Sequence, residues 1–421
     1  MLKRILKLPS WLQRLGFYLT ILGPGLITAS ADNDAPGIAT YSMAGSTYGY
    51  RFLWLVVVIT LGEVIVQEMA ARMGAVTGKG TADLIRERFG VRVTAFAMLC
   101  LLIANLGTTI AQFAGVAAGT ELLGVSRYVT VPLAAVLVAY LVLRGSYEHV
   151  EKVLLVLCLA ALSYVFTAFA VRPQWGEVLR NAVTPTFTAD PAYIMAVLAT
   201  IGTTITPWGI VYMQASVADK RVNLADYRYT RLDVMFGATW GNVVSAFIII
   251  TTATTLYAHG IRVESAEEAA LALAPLVGAG ARYLFTAGLL GASLLAASVL
   301  PLSTAYAVCE AFGWERGLDH KGRDARIFYG LYVGMIVLSV AVVLLPGIPL
   351  FPLMWLSQSL NAILLPVLLV LVLKLVNNRR VMGTWVNSRV QNVLAWGLTG
   401  LIVLVTLTLL VSPLFGVQAP L

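Results

Sequence analysis

Histidine, cysteine and charge are all scarce in this chain: three His and three Cys in 421 residues, with Asp, Glu, Lys and Arg together only 12%. Cys100, Cys158 and Cys309 show no paired spacing and lie within or beside apolar runs, which argues against a disulfide framework or a zinc knuckle. The histidines, His149, His259 and His320, stand near the ends of apolar runs, so no imidazole falls where a buried proton relay near neutral pH needs one. No glycine loop followed by Lys and Ser or Thr is present to cradle phosphates, which leaves hydrolysis-driven work without a motif. Alternating ten-residue segments are absent as well, which removes a transmembrane barrel. What is abundant is apolar side chain, at 59% of residues, more than a water-soluble surface can hide. The chain therefore reads as an integral membrane protein spanned by helices. A net charge of +8 raises nucleic acid as a partner, but the basic residues sit in loops at helix ends rather than on one face, so the lipid bilayer is the partner implied.

Eleven spans are predicted, at about 17–42, 50–72, 93–123, 129–143, 150–171, 191–216, 232–258, 282–310, 327–346, 350–375 and 391–412. With the N-terminus inside, the inner loops collect 23 of the 29 Lys and Arg, and the outer loops keep Arg51, Arg127, Arg172, Arg180, Arg262 and Arg282. That asymmetry places the N-terminus in the cytoplasm and the C-terminus outside, in a multi-pass protein of the cell membrane, by expectation a bacterial inner membrane. The opening stretch MLKRILKLPSWLQRLGF is basic and amphipathic, lacks a small-residue cleavage site, and reads as a cytoplasmic interfacial lead-in, with a cleaved signal peptide as the alternative. The outer loop at 259–281 holds Glu264, Glu267 and Glu268 in an Ala-rich stretch that suits an interfacial helix.

The stretch that organises the rest is GPGLITASADNDAPGIAT, Gly23 to Thr40, which sets Asp32, Asn33 and Asp34 in the middle of the first span. One Asp at mid-bilayer costs roughly 2.5–3.5 kcal/mol on insertion scales, so such residues mark an ion or substrate path. Pro36 and Gly37 follow at once, and a broken helix frees backbone carbonyls as further ligands. Five spans later MAVLATIGTTITPWGIVYMQAS carries Gly202, a Thr-rich patch and Pro207 at its centre. Interruptions in spans one and six point to two five-helix halves of inverted topology, 17–171 and 191–375, with a site between the breaks and 391–412 as an added span.

These residues carry a resemblance. GPGLITASADNDAPGIAT, then GSTYGYRFLW, then MAARMGAVTGKGTADLIRERFG resembles the NRAMP family of divalent-metal transporters, whose members have a Gly-Pro-Gly, an Asp-Pro-Gly-Asn break, an Ala-Thr, a Phe-Gly-Tyr-like turn and an Ala-Arg-x-Gly-x-x-Thr-Gly-Lys loop. The broken sixth span and SQSLNAILLP in the tenth extend the likeness, more weakly after residue 220. It implies an all-α leucine-transporter-type fold and import of transition-metal ions such as manganese and iron(II), usually coupled to protons. It implies no enzyme, no resident cofactor and no obligate protein partner.

The departures from the pattern matter as much. Asp34 keeps the family's metal-binding aspartate, but Ala35, Pro36 and Gly37 stand for Pro-Gly-Asn, and Thr206 stands where a methionine precedes the proline. The family's two histidines fall at Trp208 and near Met213, and the acidic positions of the third span at Leu102 and Thr109, with Gln112 where another acid is common. Loss of a soft thioether removes a reason to exclude magnesium, and loss of titratable groups leaves no obvious proton relay. The pattern is similar to the NRAMP-related magnesium transporter branch, which implies Mg2+ and Mn2+ as cargo without proton coupling.

Magnesium keeps several waters and meets a protein through one or two carboxylates. The expected site has Asp34 as anchor, Asp32 and Asn33 beside it, hydroxyls of Thr203 and Thr206 opposite, and Gln358 at the ion or its water. Gly37, Thr204, Trp208 and Asn361 are cavity-lining candidates, with Gly37 and Gly202 small enough to leave room for a hydration shell. Each has a structural competitor. On an intact helix Asp32 points away from Asp34, Asn33 suits a helix cap, the threonines suit back-bonding to helix carbonyls, Gln358 a helix bridge, and Trp208 ordinary packing. The rival functions are a proton-coupled manganese or iron importer, a sodium-coupled amine or amino-acid transporter, a passive channel, and an intramembrane aspartyl enzyme, whose paired acids should come from two helices.

Overall fold

A computed structural model describes residues 33–143, 159–188, 190–220, 222, 224, 227–315 and 325–411. Among them every regular element is a helix, and eight segments are long and apolar enough to cross a bilayer. The first of these, Ala35–Thr77, is two expected spans joined by a 3-10 turn at Gly49–Phe52, and the shorter apolar helices Arg127–Leu143 and Leu159–Val171 fall where spans four and five were expected. In chain order the helices are α1 (Ala35–Tyr48), α2 (Leu53–Thr77), α3 (Thr81–Leu122), α4 (Arg127–Leu143), α5 (Ser163–Val171), α6 (Trp175–Val183), α7 (Pro191–Thr204) and α8 (Pro207–Asp219). They continue with α9 (Tyr227–Thr255), α10 (Ala266–Leu271), α11 (Ala281–Phe312), α12 (Arg326–Val343), α13 (Leu350–Val376) and α14 (Arg389–Val411).

The helices pack as two groups. Helices α1, α2, α7, α8 and α9 hold one another, and α3, α4, α11 and α12 form a second set. Helix α13 runs between them, against α3 on one side and α7 on the other. Both helix breaks lie on this seam. The sixth span is interrupted at Ile205 and Thr206, because a residue before proline avoids helical geometry and Pro207 has no N–H to continue the ladder. Helix α1 begins with Pro36 in its first turn and Asp34 in extended geometry before it. The other side of that first break, including Asp32, lies outside the described residues.

The stretch GKGTADLIRERFG, predicted as a loop, is helical from Thr81 and joins the third span across a kink at Gly90 (φ 77°). Gly80 has no side chain to cap that helix, and Glu310 of α11 accepts from the Asp83 amide instead (3.4 Å). A tertiary cap of this kind leaves no local sequence signal. The Ala-rich loop holds α10, closed by a capping box in which Ser265 and Glu268 satisfy each other's backbone amides. Cys100 and Cys309 carry buried thiols, as their apolar surroundings suggested, and Cys158 lies outside the described residues.

Candidate functional site

Asp34 caps α1 and is 4% exposed. Its Oδ1 accepts from the amide of Gly37 (2.8 Å), and its Oδ2 accepts from Nε2 of Gln112 on α3 (2.5 Å). No Lys, Arg or His pairs with it among the described residues. The carboxylate thus meets neutral donors only, although an isolated buried charge is costly and stable burial calls for a counter-charge. Gln112 is fully buried, and its own Oε1 has no hydrogen-bond partner. The pairing of Asp34 with Gln112 is the contact that sequence reasoning missed. Its one signal was a long polar side chain inside an apolar span.

Asn33 turns away from this carboxylate toward α9: its amide donates to the Gly241 carbonyl (3.2 Å) and its oxygen accepts from Ser245 (3.1 Å). At the break in the sixth span the threonines separate into three roles. Thr204 back-bonds to the Thr200 carbonyl (2.8 Å) and shares a hydrogen bond with the Tyr41 hydroxyl of α1 (2.6 Å). Thr206 caps α8, accepting from the Gly209 amide (3.2 Å). Thr203 is 1% exposed and its hydroxyl has no partner. On α13, Gln358 and Asn361 bond to each other (3.0 Å), and Asn361 also donates to Thr108 of α3 (2.9 Å). An amide and hydroxyl network therefore links α3 and α13, one helical turn from Gln112.

Two glycines set the distances at the seam. A Cβ on Gly202 would lie 2.0 Å from the Gln358 carbonyl oxygen, so its smallness serves a backbone-to-backbone crossing of α7 and α13, the use small residues have in membrane helix packing. This corrects the expectation that it leaves room for water. A Cβ on Gly115 would lie 2.3 Å from the Cβ of Ala35, with Ser293 Oγ at 2.5 Å and the thioether of Met354 at 3.7 Å. Sulfur is thus not absent from the neighbourhood of the first break: α13 supplies Met354, whereas the sixth span has Thr206 before its proline.

Trp208 is 1% exposed and packs on Ala296, Val299 and Leu300 of α11 and on Tyr212 one turn along α8. Val299 and Tyr212 also line a cavity of about 340 Å³ that opens among Lys79, Asp83, Ser216 and Glu310. Trp208 therefore stands between that vestibule and the break in the sixth span, with its indole N–H unpartnered. Glu63 of α2 accepts from the Asn242 amide of α9 (2.5 Å). Among the described residues no three His, Cys, Asp or Glu side chains cluster to hold a metal. Beside the Asp34 carboxylate the two breaks and α13 carry the Gln112, Gln358 and Asn361 amides and the threonine hydroxyls, an oxygen-rich set that suits a hard cation retaining water.

A polytopic helical protein with a buried carboxylate at one helix break, beside a second break in the same helix group where it meets the other, has the construction of a secondary transporter. The family model described as Natural resistance-associated macrophage protein-like (Nramp) matches residues 25–412, and the chain belongs to that family. It is similar to the divalent metal cation transporter MntH of Klebsiella pneumoniae subsp. pneumoniae, 28% identical over 411 residues that cover 95% of this chain and 96% of that protein. It is also similar to MntH of Bacillus subtilis, 24% identical over 407 residues, covering 94% and 92%. The fold matches the crystal structure of the Eremococcus coleocola manganese transporter with an aromatic bis-isothiourea substituted compound (TM-score 0.75, 22% identity, 96% of this chain and 88% of that one). It matches more distantly Mhp1, a nucleobase-cation-symport-1 family transporter (TM-score 0.55, 17% identity, 94% and 90%). The fold is the leucine-transporter type, and these relatives are transporters rather than enzymes.

Proposed function

We propose that this chain transports divalent cations across the membrane, carrying Mg2+ and Mn2+ as partly hydrated ions bound at Asp34, without proton coupling. One observation carries the reading: a buried carboxylate whose partners among the described residues are the Gly37 amide and the Gln112 side chain, a negative charge that a bound cation completes. The relatives' divalent-metal transport supports the cargo class. The amide and hydroxyl groups at the two breaks support a hydrated hard ion. Asp32, Asn33, Thr203, Thr206 and Gln358 are proposed as the remaining first or water-mediated contacts, the unpartnered hydroxyl of Thr203 having the most free capacity.

The two halves, 17–171 and 191–375, are proposed to move against each other, with 391–412 outside the repeat. The Lys79 vestibule is proposed to face the cytoplasm across a bacterial inner membrane, a reading that the charge balance supports. An inside-negative potential then favours entry of a doubly charged ion by about 4.6 kcal/mol per 100 mV, which drives accumulation without protons. Proteoliposomes with a pH dye inside test this. Magnesium uptake should follow the imposed voltage, leave internal pH unchanged, and vanish in Asp34→Ala; uptake that acidifies the lumen in step with the metal sinks it. A second reading, a proton-coupled manganese or iron(II) importer, is favoured by Met354, whose thioether near Ala35 offers a soft contact.

A further inference from the structure

On the face opposite the Lys79 vestibule a cavity of about 540 Å³ opens between the turn that joins α1 to α2, the end of α9, and the α5–α6 connection. Its walls carry Tyr48, Arg51, Arg172, Glu177, Asn181 and Tyr257. Both arginines are exposed, and neither guanidinium has a hydrogen-bond or ion-pair partner among the described residues. Glu177, the cavity's one acid, pairs with neither, so the lining is net positive. The backbone adds a second observation. Arg172 ends α5 at φ 51°, ψ 64°, the left-handed region, and is the sole non-glycine residue with positive φ among the described residues. Helices commonly end with glycine at such a position, and a side chain kept there against strain points to a use for that side chain.

The cavity's depth identifies what reaches it. Helix α6 tucks Val178 and Ala182 inward and exposes Trp175, Leu179 and Val183, 38%, 67% and 77% accessible, one turn apart. That is an amphipathic helix lying in the membrane interface. Trp175 stacks near Phe169, which meets Phe247, and below them Phe166 and Phe169 on α5 and Phe236, Trp240 and Val243 on α9 form an exposed apolar strip. A polar head held in the cavity would have its acyl chains laid along that strip.

We propose that Arg51 and Arg172 bind the phosphate of an anionic phospholipid from this leaflet, between the outer end of α1 and the α5–α6 corner. Two guanidinium forks suit a phosphate, each offering paired donors, and the surplus positive charge selects anionic over zwitterionic heads. The bound lipid would tie α1 to α5, elements that otherwise meet here across open space. The site is independent of the cation reading, since its readout is lipid retention and not transport.

Native mass spectrometry of delipidated, detergent-solubilised full chain, titrated with phosphatidylglycerol or phosphatidylcholine of matched chains, tests it. Phosphatidylglycerol should be retained preferentially, and Arg51→Gln and Arg172→Gln should each lower its affinity about fivefold, toward the phosphatidylcholine level. Arg172→Gly should also lose lipid preference while raising the unfolding temperature in lipid-free detergent, since glycine relieves the backbone; this separates lost binding from damaged folding. Unchanged preference in the double glutamine variant overturns the proposal. So does full displacement of the lipid by millimolar inorganic phosphate, which would make this a free-anion site.

Discussion

Replacing Gln112 by Glu tests the electrostatics of the site most sharply, because it changes one group at the atom that touches Asp34. Gln112 Nε2 stands 2.5 Å from Asp34 Oδ2, so an isosteric carboxylate there faces another carboxylate at hydrogen-bond distance. At an effective dielectric of about 20, two unit charges 2.5 Å apart repel by roughly 6–7 kcal/mol. That repulsion is relieved by a shared proton, as in paired acids elsewhere. A cation that binds Asp34 must then displace the proton, so apparent affinity should fall about tenfold for each pH unit of acidification while the pair holds it. Proteoliposome uptake of magnesium, measured from pH 6 to 8 at fixed voltage, reads this directly: uptake should fall more steeply on acidification for Gln112→Glu than for the wild type, with lumenal pH changing only in the variant. Gln112→Leu supplies the control. It removes a charge-assisted hydrogen bond worth about 1.5–3 kcal/mol, so the cation-free protein should lose about that much stability. Added divalent ion should restore part of it by binding only the folded state. A Gln112→Glu protein that folds, transports, and has the same pH profile as the wild type refutes the argument.

Three further outcomes follow from other contacts. Gly202→Ala places a Cβ 2.0 Å from the Gln358 carbonyl, and should lower stability in detergent by about 1–3 kcal/mol, seen as a lower unfolding temperature, through overpacking of the α7–α13 crossing. Thr206→Met should move competition between magnesium and manganese toward manganese, and Met354→Leu should move it the other way if the thioether of α13 touches the ion; unchanged ratios in both remove sulfur from the account. Glu310→Ala should cost about 1 kcal/mol by uncapping α3, with faster hydrogen exchange confined to Thr81–Leu84.

The described spans, the break at Pro207 and the burial of Asp34 could all be read from the chain, because each depends on a quantity that a single segment carries. Length and hydropathy set a span, pre-proline sterics set a break, and a carboxylate in an apolar run declares its own desolvation. What each polar side chain touches depends on a second segment. Asn33 and Asp34 are neighbours in sequence, yet one bonds to α9 and the other to α3, and the unwound backbone between them erases the helical phase that would have told them apart. The sixth span shows why periodicity fails there as well: its apolar window is buried all round, so no contrast between lipid and protein marks which face meets Gln358 and which meets Tyr41. In such a helix the missing side chain is the better guide. Gly202 and Gly115 mark close approaches at the seam, of α7 to α13 and of α3 to α1, and the second is the contact that brings Gln112 to Asp34. Small residues at close crossings thus locate the site's walls where the polar residues alone leave several pairings open.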